Sequence, residues 1–306
     1  MIELRQLTKR FGRRTAVDEL TLTVPPGEIF GLLGHNGAGK STVIGMLLGQ
    51  VWPTTGEIRI DGHDPIQDRR RALAFVGAIF ESPVFYDYLS GWRNLQILAS
   101  YTAPMPPQRL REVIDWVGLT GRETSLVRTY SHGMRARLAL AQALVPAPRL
   151  LILDEPSDGL DPEGIHEMRG TIQRLRAELG LTILLSSHLL NEVEQLCTRI
   201  AVLRNGRKVF EGDLAQAVHQ RPAFRLRTHD WPAAAQLLST EGLASVGPDT
   251  GRLSPADGVG PETIVARLVA AGFPVYEFAA IEQTLEDFYL GLMNSDAGSE
   301  AAGRPD

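Results

Sequence analysis

The chain is predicted to be an α/β protein built on a mostly parallel sheet, for three reasons. Strand-type apolar runs alternate with stretches of helical periodicity along most of its length. A glycine-rich turn, Gly34-His35-Asn36-Gly37-Ala38-Gly39-Lys40-Ser41-Thr42, joins one such strand to one such helix. Two further runs, Leu150-Leu151-Ile152-Leu153 and Thr182-Ile183-Leu184-Leu185, are apolar without alternation, as strands buried on both faces are.

The elements follow in order. Ile2 and Leu4, then Leu20, Leu22 and Val24, alternate with polar neighbours as half-buried strands do, and the segment ends at Pro25-Pro26-Gly27. Glu28 to Leu33 is a short apolar strand, and beyond the glycine-rich turn Thr42 to Leu48 has helical spacing. Glu57-Ile58-Arg59-Ile60 is a strand closed by the Asp61-Gly62 turn, and Phe75 to Phe80 is another buried strand. From about Ser90 to Val145 the pattern is helical, with a break at Pro104 to Pro107, and marks a helical insert of about residues 85–148. A helix is expected from Pro162 to Leu179, with proline at its first turn. Ile200 to Leu203 and Lys208 to Phe210, joined by Asn205-Gly206, form a hairpin. These elements make one large domain, residues 1–215. Beyond it, residues 222–290 give a weak strand–helix–strand pattern, with helices near Trp231–Leu238 and Glu262–Ala271, and suggest a small accessory α+β domain. The small, polar tail, 294–306, is expected to be disordered.

The glycine-rich turn has the spacing G-x-x-x-x-G-K-S in a strand–turn–helix context. Its glycines let successive N–H groups face one anion-sized hollow, and the helix beginning near Lys40 adds its positive end. Lys40 would reach the outer phosphates of a nucleotide, and the Ser41 hydroxyl would ligate Mg²⁺. Leu153-Asp154-Glu155 then places two carboxylates where a buried strand ends, the edge at which parallel sheets bind ligands. Asp154 would join the Mg²⁺ shell, and Glu155 would polarise or deprotonate an attacking water. His188, after another such strand, could contact the γ-phosphate and hold that water. Taken alone, each of these features also reads as an ordinary turn or loop; their combination is what points to a nucleotide. Tyr130-Ser131-His132-Gly133-Met134 opens a helix, so Ser131 and Gly133 are either an ordinary N-cap or a second anion site. A second phosphate-type site in a chain with one phosphate loop suggests that two subunits complete each other.

Composition narrows the partners. A net charge of −5 on 306 residues gives no reason to expect nucleic acid, which needs a basic surface. The basic triplet Arg69-Arg70-Arg71 reads as a solvated helix face. The single cysteine, Cys197, excludes an internal disulfide and sits at a core position of a helical stretch. The N-terminus lacks a signal-peptide pattern, and no apolar run approaches the ~18 residues that span a bilayer. A cytoplasmic protein that reaches the membrane only through a partner is expected.

These residues together resemble the nucleotide-binding subunit of ATP-binding cassette (ABC) transporters, over roughly residues 1–215. In order stand counterparts of the Walker A loop (34–42), the signature motif (130–134), Walker B (150–155), the D-loop (157–161) and the switch histidine (188). The resemblance implies a P-loop NTPase (RecA-like) core with an antiparallel β subdomain and a helical insert. Its ligands would be ATP and Mg²⁺. By the same resemblance Phe11 matches the aromatic that stacks on adenine, although locally it could equally be core. Glu81 stands where the family usually has a glutamine that contacts the metal and reports on the insert. His132 and Met134 replace the usual glycine and glutamine of the signature, and Asp158 adds an acid to the D-loop.

The wording around Glu81 and Ser131 is similar to the branch that works with separate integral-membrane permeases in drug, peptide-antibiotic or lantibiotic export and self-resistance. The implied partners are therefore a permease and a second copy of the chain, which together would close an ATP sandwich on the inner face of the cell membrane. Met105, Tyr86, Tyr88 and Trp92 could supply apolar anchors for the permease, or could be core. A soluble ABC ATPase of the chromosome-maintenance or translation kind needs a long coiled coil, or two cassettes in one chain. A subunit that gates a sensor or resistance complex without transport is a further alternative.

Overall fold

The computed structural model describes residues 1–80, 83–101, 105–218, 223–246, 251–281 and 284–294. Glu81 lies outside the described residues, as does most of the tail. Two compact units are present, Met1–Leu214 and Ala215–Asp306.

The strands of the first unit are β1 (Ile2–Phe11), β2 (Arg14–Val24), β3 (Ile29–Leu33), β4 (Thr55–Ile60), β5 (Val76–Ile79), β6 (Leu150–Asp154), β7 (Thr182–Ser187), β8 (Arg199–Arg204) and β9 (Arg207–Asp213). Its helices are α1 (Lys40–Leu47), α2 (Arg69–Ala72), α3 (Gly91–Ser100), α4 (Pro107–Trp116), α5 (His132–Leu144), α6 (Pro162–Leu179) and α7 (Leu190–Leu196). Among the described residues, β2-β1-β4 form a three-stranded antiparallel sheet and β5-β6-β7-β3-β8-β9 a six-stranded one. The larger sheet is parallel from β5 through β8, and only β9 runs back, as the hairpin partner of β8. Between α3 and α5 lie α4 and a short 3-10 turn, Val127–Thr129, so this stretch is helical throughout its regular elements.

One apolar core joins the two sheets. Ile2, Leu4, Leu20, Leu22 and Val24 from the antiparallel sheet meet Phe30, Leu32, Leu150, Ile152 and Leu184 from the parallel one. Helix α1 is the layer between them. Lys40, Val43, Ile44, Gly45, Met46 and Leu47 are all buried, which explains why α1 has no polar stripe. In β1 the inward residues Leu4 and Leu7 are spaced out of strict alternation because the pairing with β2 shifts register between them. Helix α6 has the predicted bounds and clear punctuation: Asp161 Oδ1 accepts from Gly164 N–H at 2.8 Å, Pro162 opens the first turn, and Gly180 closes the helix at φ 65°. The arginine triplet is less idle than its sequence suggests, because Arg69 donates to the carbonyls of Leu48 and Gly49, both at 2.7 Å, and ties α2 to the end of α1. Cys197 is buried, and burial pushes its thiol up out of the reactive range.

Register positions the edge that matters. Leu33 pairs with Ser187, and Asp154 pairs with Ser186. The strands β3, β6 and β7 therefore end at one level, and the segments beginning at Gly34, Glu155 and His188 leave the sheet side by side.

The second unit opens with a short helix, α8 (Leu214–Val218). It contains β10 (Ala223–Thr228), α9 (Trp231–Thr240), β11 (Ala244–Val246), β12 (Arg252–Pro255), α10 (Pro261–Ala270), β13 (Val275–Ile281) and α11 (Leu285–Asn294). The order β11-β12-β10-β13, antiparallel throughout, is the split βαβ arrangement of a βαββαβ domain. Leu226, Leu238, Leu253, Ile264 and Leu268 form its core. Sequence patterning finds α9 and α10 but not β11 and β12, since strands of three and four residues are too short to show alternation.

The insert and the parallel sheet meet through close backbone packing. A Cβ on Gly77 would run into the Ala143 carbonyl oxygen of α5 and the Leu151 side chain of β6. Gly77→Ala should therefore cost about 1–3 kcal/mol or more by overpacking. A lowered urea midpoint with an unchanged slope is the expected result.

Candidate functional site

The loop 34–39 wraps the N-terminus of α1 and can do so only with glycine at its end. Gly39 has φ 111°, and a Cβ there would lie 2.5 Å from the Ala16 carbonyl oxygen of β2. Lys40, 5% exposed, folds back over the loop: its Nζ donates to the Gly34 carbonyl at 2.7 Å and sits 3.1 Å from Glu155 Oε1. The other carboxylate oxygen, Oε2, is 2.8 Å from His188 Nδ1 and accepts from the His188 backbone N–H at 3.1 Å. Glu155 thus lies between a lysine that begins α1 and a histidine just beyond the end of β7.

Serine 186 organises the acidic pair. Its hydroxyl donates to Asp154 Oδ1, and its Oγ accepts from the Glu155 backbone N–H at 3.0 Å. Glu155 has φ 49°, a left-handed conformation that costs a residue with a side chain about 1 kcal/mol or more. The two bonds from its N–H to Ser186, to Oγ and to the carbonyl at 3.2 Å, hold it there.

Two cavities flank this cluster. One, of about 250 Å³, is lined by Phe11, Arg14, Ala16, His35, Asn36, Gly37, Gly39, Lys40, Ser41, Thr42 and Glu155. Phe11 is 51% exposed, with Lys9 Nζ 4.7 Å from its ring centre, so it is not a core residue. The other cavity, of about 600 Å³, brings Ser41, Asp154, Glu155, Asp158 and Gly159 opposite His132, Arg135, Ala136 and Ala139 of the insert. Ser41 and Asp154 are hard oxygen donors facing one cavity, which suits a magnesium ion that takes few protein ligands and completes its shell with phosphate and water. Among the described residues no cluster of three or more His, Cys, Asp or Glu side chains could hold a metal by itself.

Ser131 and Gly133 lie elsewhere. Ser131 caps α5, accepting from Met134 N–H at 3.2 Å, and both residues border a third cavity with Gly159, Asp161 and Glu163. Tyr130, just before them, donates to the Arg122 carbonyl at 2.8 Å, and burial pushes its hydroxyl pKa up. Within one chain the structure groups Phe11, the 34–42 loop, Asp154, Glu155 and His188, and leaves Ser131 and Gly133 apart from them.

A glycine-rich loop, two carboxylates and a histidine on one sheet edge are what comparison with known proteins can be set against. Residues 17–158 match the family pattern described as ABC transporter. YhcH of Bacillus subtilis (strain 168), described as an uncharacterized ABC transporter ATP-binding protein, is 37% identical over 300 residues, 95% of each chain. The chain belongs to the ABC transporter ATP-binding family. The bacitracin transport ATP-binding protein BcrA of Bacillus licheniformis is 43% identical over 211 residues, 69% of each chain. A solved ATP-binding subunit of an ABC transporter matches with a TM-score of 0.63 at 30% identity, over 71% of this chain and 91% of that one. As an ABC subunit the chain is an ATPase, built on a P-loop NTPase core with an antiparallel β subdomain and a helical insert. Among its described residues no helix is long and apolar enough to cross a membrane.

Sequence reading passed over Arg14 and Ser186. Arg14 lines the cavity beside Phe11, and its signal is a cation three residues after the aromatic, across the β1–β2 turn. Ser186 is visible as the first of two serines that end a central strand with an apolar middle. Removing its hydroxyl strips Asp154 of a buried donor and the Glu155 N–H of an acceptor. Ser186→Ala should lower stability by about 1–3 kcal/mol, read as a shift in the denaturation midpoint.

Proposed function

We propose that this ABC subunit drives export of a drug, peptide antibiotic or other small molecule through a separate integral-membrane permease. The observation that carries its chemistry is the position of Glu155 between Lys40 and His188, on the wall of the cavity that Phe11 and the 34–42 loop enclose. The likeness to a bacitracin transport ATP-binding protein supports the choice of cargo class.

In this reading ATP lies with its base against Phe11 and its triphosphate over residues Gly34, His35, Asn36, Gly37, Ala38, Gly39, Lys40, Ser41 and Thr42, where backbone N–H groups and the Lys40 ammonium offset its charge. Arg14 adds a second cation beside the base. Ser41 and Asp154 would hold Mg²⁺, which when bound neutralises phosphate charge; Glu81, outside the described residues, joins them by family likeness alone. Glu155 takes a proton from water as the water oxygen bonds to the γ-phosphorus, and the bond from that phosphorus to the β,γ-bridging oxygen breaks, releasing ADP and phosphate. His188 orients the same water and contacts the γ-phosphate.

The second anion site calls for a second copy. Ser131 and Gly133 border a cavity other than the one at Lys40, so in a lone chain they have no nucleotide to bind. Two chains packed head to tail would bring Ser131 and Gly133 of one to the γ-phosphate held by Lys40 of the other. The insert, about residues 85–148, is the proposed permease contact, with Tyr86 and Tyr88 exposed at its entrance, and the complex would sit on the cytoplasmic face of the cell membrane. Residues 222–290 form the proposed accessory domain.

Glu155→Gln should keep ATP binding, lose turnover by about 10²-fold or more, and accumulate a nucleotide-dependent dimer on gel filtration; monomer alone with ATP would overturn the two-copy reading. Lys40→Ala should weaken ATP binding itself, and an unchanged affinity by calorimetry would remove Lys40 from the phosphate site. Flux into vesicles that hold both subunits tests export directly.

A further inference from the structure

Arg14 is a cation on the wall of the nucleotide cavity with no anion to match it. It opens β2 and pairs in register with Phe11, the last residue of β1, so the two side chains share one face of the hairpin. Its guanidinium reaches the glycine-rich loop: Nη2 lies 3.6 Å from where a Cβ on Gly37 would stand. Phe11, Arg14, Gly37 and Lys40 all line the cavity of about 250 Å³. Among the described residues the Arg14 side chain has neither an ion pair nor a hydrogen bond. Its neighbours do better, since Arg207 is matched by Asp18 and Lys9 donates to the Trp52 carbonyl.

A solvated surface arginine is the plain alternative, and Arg10 and Arg13 of the same hairpin fit it. Both are exposed, and neither lines the cavity. Arg14 is exposed too, but it leans on a loop whose N–H groups and helix end already favour an anion. Glu155, the one carboxylate among the described residues lining this cavity, is committed through its two oxygens to Lys40 and His188. The cavity therefore holds a surplus cation, which an entering anion would match. Which part of the anion follows from place. Lys40 Nζ is tied to Gly34 and Glu155, whereas Arg14 is tied to Phe11 by register and to Gly37 by contact. With the base on Phe11 and the outer phosphates at Lys40, Arg14 falls to the phosphates nearer the ribose.

We propose that Arg14 binds the inner phosphates, which ATP and ADP share, and so sets the affinity of the site for both nucleotides without choosing between them. This rests on the reading above that lays ATP between Phe11 and the 34–42 loop.

The test uses the full chain, with ATP and ADP affinities measured by calorimetry in EDTA, which stops turnover. Arg14→Gln should weaken both nucleotides by about tenfold and leave the ratio of the two affinities within about twofold of wild type. Arg14→Lys should keep most of the affinity, because the charge remains within reach of a phosphate. Added salt should cost wild type more affinity than Arg14→Gln, since an exposed charge pair is screened. Arg13→Gln removes the same charge one residue away and should change either affinity by less than about twofold. Unchanged affinities in Arg14→Gln, a loss confined to ATP, an Arg14→Lys as weak as the glutamine variant, or an equal loss in Arg13→Gln would each overturn the proposal. So would a nucleotide-free melting temperature that falls in Arg14→Gln, because the arginine would then be holding the hairpin instead. Lys40→Ala is the control, expected to weaken ATP more than ADP: full ATP affinity there would sink the reading of the site itself. Weak ATP binding by Lys40→Ala beside full affinity in Arg14→Gln would sink only the inference about Arg14.

Discussion

Parallel pairing of β6, β7 and β3 is the constraint on which the site depends. Residues far apart in sequence, at Gly34, Glu155 and His188, come together because three buried strands of similar length end at one level. No side chain in the site is long enough to compensate for a slip of two residues, which would move its strand end by about 6–7 Å. The apolar runs that make these strands central therefore do more than fill the core. By forcing burial on both faces they fix which ends lie together.

The same edge concentrates charge in a confined place. Lys40 is almost fully buried, and its ammonium is matched by the Gly34 carbonyl and one oxygen of Glu155. The remaining Glu155 oxygen is taken by His188, and Asp154 is held from behind by Ser186. Each ionised group has a partner at hydrogen-bonding distance, which is the condition for keeping charge in a low-dielectric interior. These contacts aim the groups as well as stabilising them. Glu155 has a left-handed backbone conformation, and its N–H is bound twice by Ser186, an example of local strain held by the surrounding fold.

The helical insert is joined to this edge by packing of a different kind. Gly77 lets α5 come down directly on the sheet, and the cavity between Glu155 and Arg135 spans from the strand ends to the insert. His132, a departure from the usual signature glycine, packs beside Gly159 of the D-loop. The strand ends and the insert are thus in close contact at this edge.

The glycine-rich loop between strand and helix, the Asp154-Glu155 pair at a strand end, the helix Pro162–Leu179 and the parallel core were legible in the sequence. Each is written in contiguous residues whose spacing alone sets the local geometry: glycines for a tight turn, an unbroken apolar run for a central strand, a proline and an aspartate to open a helix. Phe11 could not be assigned to surface or core from its neighbours, because exposure depends on what the fold places over a residue. For the same reason nothing in the sequence assigned a role to Ser186 or Arg14, and the three- and four-residue strands of the second unit gave no signal at all. Their partners lie across a strand boundary or on another element, and only register and packing determine those distances. Sequence by itself decided which chemistry the chain carries; tertiary structure decided which groups touch, because a contact between distant residues is a property of how buried strands align.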